Sequence, residues 1–308
     1  MIDSYIWGKS TRISPEAPVP IVEVDKREKR LGGAANVALN IKSLGAEPIL
    51  CSMIGGDLNG SDFLSLLSDQ NMRVDGIMTS NERVTTTKHR IISSSQHMLR
   101  VDEEVSTPIT STDESAMTTK IIALLPEADV VIFEDYDKGV ITPTLINKVV
   151  SKANELKIPT VVDPKKRNFL SYKDVSLFKP NLKEIREGLN IEIDPTSQNS
   201  IDNANNILRG ELNHTYALIT LSEYGVYFSD QTDSLMIPAH IRKIADVSGA
   251  GDTVVSVAAL CLGLGLSNKN IATISNLAGG LVCEHVGVKP IDLSQLLTEI
   301  QQLKISFP

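Results

Sequence analysis

Cysteine is scarce in this sequence. Cys51, Cys261 and Cys283 are the only three in 308 residues, they form no C-x-x-C, and any pairing leaves one over. A disulfide framework and a zinc site are both unsupported on that count, and each cysteine sits in an apolar run where a thiol acts as a small core hydrophobe. Positive charge is also short. Thirty Lys and Arg face 38 Asp and Glu, a formal net charge of -8, which argues against a chain whose main task is gripping nucleic acid. Long hydrophobic runs are missing too: Val254 to Leu266 is the longest candidate, interrupted by Ser and Gly and short of the ~18 residues a membrane span needs. No basic stretch followed by an apolar one opens the sequence, so no secretory signal is read there and a cytoplasmic location is expected. Internal repeats, low-complexity tracts and Pro/Ser/Gly linkers are likewise not seen. What remains is 42% hydrophobic residues with ordinary Gly and Pro, the composition of a globular chain with ample core.

Short apolar runs alternate with amphipathic stretches. Strands are expected at Ile49–Ile54, Asp129–Glu134, Thr160–Asp163, Ser176–Phe178 and Ala217–Leu221, each a compact run of the kind buried on both sheet faces. Helical spacing marks Val37–Leu44, Thr144–Leu156 and Ile201–Leu212. This alternation implies an α/β sheet with helices on both faces, and ligands in such sheets sit beyond the carboxyl ends of the strands. Pro18–Val24 and Val84–Asp102 break the pattern as strand-like segments without helices, the second reading as a hairpin that turns at Ser93–Gln96. They suggest a small β lobe. The charged run Asp25–Arg30 reads as a solvated turn.

Two common nucleotide motifs fail. Gly8-Lys9-Ser10 has Asp3 where a P-loop requires Gly, and Gly249-Ala250-Gly251 lacks the third Gly of a dinucleotide fingerprint. Other segments carry more. In Asp246-Val247-Ser248-Gly249-Ala250-Gly251-Asp252-Thr253, small residues let backbone N–H groups converge at a helix start, an anion site with Asp252 at its mouth. The same residues also suit a plain helix cap. Asn181 and Glu184 have the spacing of a capping box, and alternatively put an amide and a carboxylate where a hydrated Mg²⁺ could sit. Gly32-Gly33-Ala34-Ala35-Asn36 permits close backbone approach by a ligand or simply opens a helix. Asp135 and Asp163 end expected strands.

Taken in order, GGAAN, a strand ending in Asp, DPK, KPNLKE and DVSGAGDT resemble the ribokinase-like (PfkB) carbohydrate kinases, over nearly the whole chain. The resemblance implies one kinase domain over 1–308: a three-layer α/β/α sandwich with a small β-sheet lid from segments at about 10–31 and 84–103. It also implies ATP, Mg²⁺ and phosphoryl transfer to a sugar hydroxyl. Further segments, Asp3–Gly8, Ser10–Pro20, Gln96–Asp102 and Asn276–Gly280, are similar to the kinases of heptose 7-phosphate metabolism within that family. They imply an acceptor phosphorylated at its anomeric oxygen to give a 1,7-bisphosphate, a precursor for ADP-heptose and the lipopolysaccharide core. Many such relatives carry a fused nucleotidyltransferase, for which no motif is seen up to Pro308. Relatives also place a strand ahead of Asp3, so a first strand is expected to be missing and Asp3 to be poorly anchored.

Residue by residue, the resemblance makes Asp252 the catalytic base, acting mainly by alignment because a carboxylate at a helix N-terminus is a weak base. Gly249, Ala250 and Gly251 would present N–H groups to the γ-phosphate. Asn181 and Glu184 would hold Mg²⁺ through water, while Ser222, Glu223, Gly225 and Asn276 would contact the nucleotide, as would Asn181. Asp3, Gly32, Gly33, Asn36 and Asp135 would meet the sugar. Arg12, Lys88, Arg90 and Arg100 are the cations available for its distal phosphate. The partners expected are a small sugar phosphate and ATP, with no nucleic acid and no membrane, and a second copy paired through exposed lid edges. A kinase for another sugar or nucleoside, or a non-catalytic binding protein on the same scaffold, are the alternatives.

Overall fold

The computed structural model describes residues 1–93, 96–240 and 242–304. The chain divides into two compact units, Met1–Ala35 with Leu50–Thr107, and Asn36–Ile49 with Pro108–Pro308.

The first unit opens with two twelve-residue strands, β1 (Ile2–Ile13) and β2 (Pro20–Leu31), and the chain then enters α1 (Ala34–Ser43). After α1 come β3 (Ser52–Gly55), α2 (Leu58–Asp69), β4 (Ile77–Ser80), β5 (Thr87–Ser93) and β6 (Gln96–Glu103). A four-stranded sheet runs β2-β1-β5-β6, and β3 pairs with β4 separately. β1 is antiparallel to β2 and parallel to β5, which is antiparallel to β6. The hairpin expected at Ser93–Gln96 is thus flanked by paired strands, while residues 94 and 95 of its turn lie outside the described residues.

The run Asp25–Arg30 is not a turn. It forms the inner half of β2, because residues two apart on a strand share a face and this sequence places opposite charges at that spacing. Glu28 accepts from Lys26 Nζ at 2.9 Å and from Arg30 Nε at 2.6 Å, and the Arg30 and Lys26 bonds hold its carboxyl down to about 2. With no apolar period to read, a charged ladder looks like a loop in sequence.

The second unit contains the remainder of α1 and then α3 (Ser111–Leu124), β7 (Val131–Glu134), α4 (Pro143–Glu155), β8 (Thr160–Asp163), β9 (Leu177–Phe178), α5 (Leu182–Leu189) and α6 (Gln198–Leu212). β10 (Tyr216–Thr220), β11 (Val226–Ser229), β12 (Ser234–Ile237), α7 (Ala250–Gly263), α8 (Asn268–Val282) and α9 (Leu293–Gln302) complete it. Its six-stranded sheet has the order β12-β11-β10-β9-β8-β7. β7 to β10 are parallel, and β11 and β12 return antiparallel. Period two divides the strands between two layers of helices. Val161, Leu177, Leu218, Val226 and Phe228 join one core with residues of α7 and α8. The alternate residues face the other way: the Tyr227 hydroxyl donates to Asp202 of α6 at 2.7 Å, and the Phe178 ring meets Phe169, Tyr172 and His214. That is the sheet with helices on both faces expected from the alternation, and the α/β/α sandwich that the family resemblance implied. Helix limits follow local chemistry: Thr142 caps α4 by accepting from Leu145 N, Pro143 fills its first turn, and Leu145, Ile146, Val149, Val150 and Ala153 form its buried face. Among the described residues no helix is long and apolar enough to cross a membrane.

His214, just after α6, is 1% exposed, and its Nε2 lies 3.1 Å from Asn205 Oδ1. Burial, with Arg209 adding to it, lowers its pKa to about 4. Below pH 6.5 the unfolded chain takes up a proton that the folded chain refuses, so stability falls as pH drops from about 6.5 towards 4 and changes no further below that. The loss expected from this group is about 3 kcal/mol. Denaturant midpoints at pH 7 and pH 5 check it, and His214→Phe flattens the difference; an equally steep variant rejects the assignment.

Candidate active site

In the second unit the carboxyl ends of β7 and β8 bring acidic side chains together. Glu134 ends β7 and is the register partner of Asp163, which ends β8. Just past β9, Lys179 Nζ lies 2.9 Å from Asp163 Oδ2, with side chains only 3% and 7% exposed. Burial works against the Lys179 charge, but Asp163 outweighs it and raises its pKa. Lys165 meets Glu184 Oε1 at 2.5 Å. Burial lowers this ammonium too, yet Asp163 and Glu184 bring it up to about 12.

The turn before α7 is built by Asp246, whose oxygens accept from Ser248 N and Gly287 N, both at 2.9 Å. Gly249 then takes φ +80, the left-handed conformation that glycine adopts without strain, and α7 starts. Asp252 lies in the first turn of α7. Its Oδ2 accepts from Asn36 Nδ2 at 2.6 Å and its Oδ1 from the Tyr136 hydroxyl at 3.0 Å. Burial raises its pKa; the Asn36 bond lowers it, Asp163 raises it further, and the raising influences win. The sequence suggested a weak base on the strength of the helix N-terminus; partial burial acts in the opposite direction. Of the expected backbone donors Gly249, Ala250 and Gly251, one is spent. Ala250 N is taken by Val247 O at 3.2 Å, whereas the N–H groups of Gly251 and Asp252 have no acceptor among the described residues. An ideal Cβ at Gly251 would lie 3.8 Å from both Asp163 Oδ2 and Lys179 Nζ, so the strand-end ion pair and the α7 turn are neighbours.

The Asn181–Glu184 capping box is present in full: Asn181 N donates to Glu184 Oε2 and Glu184 N to Asn181 Oδ1, each at 2.9 Å. With Lys165 on its other oxygen, Glu184 is engaged twice. Among the described residues no group of three or more His, Cys, Asp or Glu side chains is placed to hold a metal. This donor set fits Mg²⁺ held through its water shell by one carboxylate and does not fit a dedicated cage.

Asp135 has a different setting from the one expected. It is 2% exposed, and its oxygens accept from Asp137 N, Asn168 Nδ2 and the Tyr172 hydroxyl at 2.8, 2.9 and 2.7 Å. Its bonds are satisfied inside the chain, and it pins the segment after β7 where a sugar contact was anticipated. Ser222 and Glu223 occupy a short 3₁₀ turn closed by Gly225 at φ +91, where a Cβ would fall 2.0 Å from Ile237 O. Asn276 of α8 donates to Pro238 O at 2.9 Å.

The first unit holds a second cluster. Asp3 is 6% exposed on β1, and Arg90 Nη1 donates to its Oδ1 at 2.6 Å. Asp3 is therefore well anchored, contrary to expectation. Gly32 must lack a side chain, since a Cβ there would lie 2.6 Å from Asp3 Oδ2, and Gly33 takes φ +58. The Arg30 and Arg90 guanidiniums lie 4.9 and 5.4 Å from the Tyr5 ring centroid. Lys88 pairs with Asp102 and Glu104 at 3.0 and 3.4 Å, Arg100 with Asp102 at 3.0 Å, and Arg12 is 3.9 Å from Glu23. Arg12 and Arg100 keep 64% and 60% of their side-chain surface open.

Glu134, Tyr136, Lys165 and Lys179 escaped the sequence reading as site residues. The DPK and KPN segments were visible, but nothing in one sequence says that their lysines meet the strand-end carboxylates.

Residues 2–294 match the pfkB family of carbohydrate kinases. The chain belongs to that family, whose members are phosphotransferases acting on sugars and use ATP, typically with a divalent metal. It is similar to the bifunctional protein HldE of Wolinella succinogenes, 40% identical over 93% of this chain and 60% of that protein. It is 37% identical to HldE of Helicobacter pylori strain G27, over 97% of this chain and 64% of that protein. The chain thus spans about three fifths of the length of these relatives. Among solved structures, phosphofructokinase-2 of Escherichia coli superposes with a TM-score of 0.80 at 17% identity, covering 98% of this chain and 96% of that one. Ribokinase of Arabidopsis thaliana gives 0.74 at 16%, covering 96% and 95%. These likenesses establish the ribokinase-like fold.

Proposed function

We propose that the chain transfers the γ-phosphoryl group of ATP to the anomeric hydroxyl of a heptose 7-phosphate, in the cytoplasm, on the route to ADP-heptose. One observation carries the chemistry: a half-buried carboxylate, Asp252, fixed by Asn36 and Tyr136 beside uncommitted N–H groups at the start of α7. Phosphoryl transfer asks mainly for positioning and charge stabilisation. Asp252 aligns the acceptor hydroxyl and takes its proton, and the Gly251 and Asp252 N–H groups meet the transferred phosphoryl oxygens. Ser222, Glu223, Gly225 and Asn276 contact the nucleotide. Glu184, with Asn181, holds Mg²⁺ through water, and the ion when bound neutralises phosphate charge. Asp3, Gly32 and Gly33 serve the sugar, with Arg90 fixing Asp3. Arg12 and Arg100, the more open of the four expected cations, serve the distal phosphate.

The heptose reading rests on the HldE likeness and on the segments quoted from the sequence. A kinase assay across heptose 7-phosphate, fructose 6-phosphate and ribose tests it. The heptose should give the highest kcat/KM; a better rate with either other sugar rejects the substrate assignment while leaving the kinase intact. Arg100→Ala should raise KM for the phosphorylated sugar roughly tenfold with kcat little changed, and an unchanged KM removes Arg100 from the phosphate site. We also propose a homodimer through the four-stranded sheet, whose edge strands β2 and β6 carry exposed Val24, Leu99 and Val101. A monomeric mass by light scattering at working concentration rejects it.

A further inference from the structure

Glu134 has no assigned task. It closes β7 in register with Asp163 on the adjacent parallel strand, so the two carboxyl groups leave the sheet on the same face. Its Oε2 is shut off from solvent and has no hydrogen-bond partner among the described residues. The groups that face it are Asp163 from β8, Asp252 from α7, Lys179 after β9 and Lys165 after β8, with Tyr136 close by on its own segment. Both cations are committed elsewhere, Lys179 to Asp163 at 2.9 Å and Lys165 to Glu184 at 2.5 Å. Asp252 is satisfied by Asn36 and Tyr136. Among the described residues, Glu134 is the carboxyl of this cluster left without a bonded counter-ion.

Glu134 is half-buried as a residue, yet a carboxylate oxygen shut off from solvent without a partner favours the protonated form over the charged one. We propose that Glu134 is a positioning residue that works as a neutral carboxylic acid. It keeps the strand-end cluster from gathering a further negative charge beside Asp252 and the incoming phosphates. Burial first, and then the Asp163 and Asp252 charges, push its pKa upward, in agreement with that state. The inference deepens the kinase reading and rests on it for its catalytic consequence, but the protonation itself can be observed without turnover.

The first measurement is therefore spectroscopic. Difference infrared spectra of the full chain at pH 7, wild type against Glu134→Gln, should contain the C=O stretch of a protonated carboxyl that the variant lacks. A carboxylate band in its place overturns the proposal whatever the enzyme phosphorylates. The second is the pH profile of kcat/KM. Glu134→Gln should remove the alkaline limb and leave the acid limb, set by Asp252, where it stands. An acid limb displaced to lower pH in the variant shows that Glu134 was ionised next to Asp252 and overturns the proposal. Glu134→Asp should restore the alkaline limb that Gln removes, a rescue that a merely structural side chain would not give; its failure to do so counts against the assignment.

Discussion

Asp252→Asn should lower kcat by roughly 10³-fold, within the range general-base catalysis contributes, while ATP binding measured by calorimetry persists. The carboxylate is half-buried, and it receives hydrogen bonds from Asn36 at 2.6 Å and Tyr136 at 3.0 Å, so its orientation is set before substrate arrives. The substitution keeps size and shape but removes the proton acceptor. The new amide oxygen can still accept from Asn36, while the NH₂ faces the Tyr136 hydroxyl, which turns from donor to acceptor. Because burial raises the pKa of Asp252, the wild-type kcat/KM should fall on acidification at a pH above the ordinary range of an aspartate. Only the deprotonated form can accept, so activity rises as pH climbs through that pKa. A variant that retains turnover within tenfold of wild type removes Asp252 from the proton-accepting role.

The second large effect is on stability. Lys179→Met leaves Asp163 buried without its counter-ion and should cost about 3–5 kcal/mol of unfolding free energy, read from guanidinium denaturation. The pair stands 2.9 Å apart with both side chains nearly inaccessible, so water cannot replace the lost ammonium. The combined replacement Lys179→Met with Asp163→Leu should recover much of the loss, since a buried pair exchanged for apolar neighbours is often close to neutral. A single variant that loses less than about 1 kcal/mol would show that Asp163 finds another partner or a proton.

The sequence exposed features that depend on local periodicity. β8 is at the expected Thr160–Asp163, and β7, β9 and β10 lie within the expected runs or a residue of them; continuous apolar stretches between turn residues have few other homes. The Asn181–Glu184 box was readable because its reciprocal bonds span three residues. β2 was missed over Asp25–Arg30 because a strand stabilised by charge pairs along one face shows no hydrophobic alternation. β11 and β12 are four residues each, too short for a period to stand out. In the site, Asp252 was legible through the glycines around it, yet its partners Asn36 and Tyr136 are 216 and 116 positions away, and no spacing rule reaches that far. Asp135 failed for a related reason: a strand-end carboxylate facing a ligand and one locked to Asn168 and Tyr172 look alike until the chain is folded.

That 216-residue separation also has a temporal meaning. Asn36 leaves the ribosome early, whereas Asp252 emerges only after most of the sheet-forming residues have been made. The segment Asn36–Ile49 belongs to the later-made unit, and Asn40 within it receives the Ile291 N–H at 2.9 Å from a still more distant position. Closing such spans costs chain entropy that no local contact offsets. A nascent chain stalled before Asp252 can thus hold many native strands and still lack the acceptor for the Asn36 amide. Competence for phosphoryl transfer therefore waits until the start of α7 has been made.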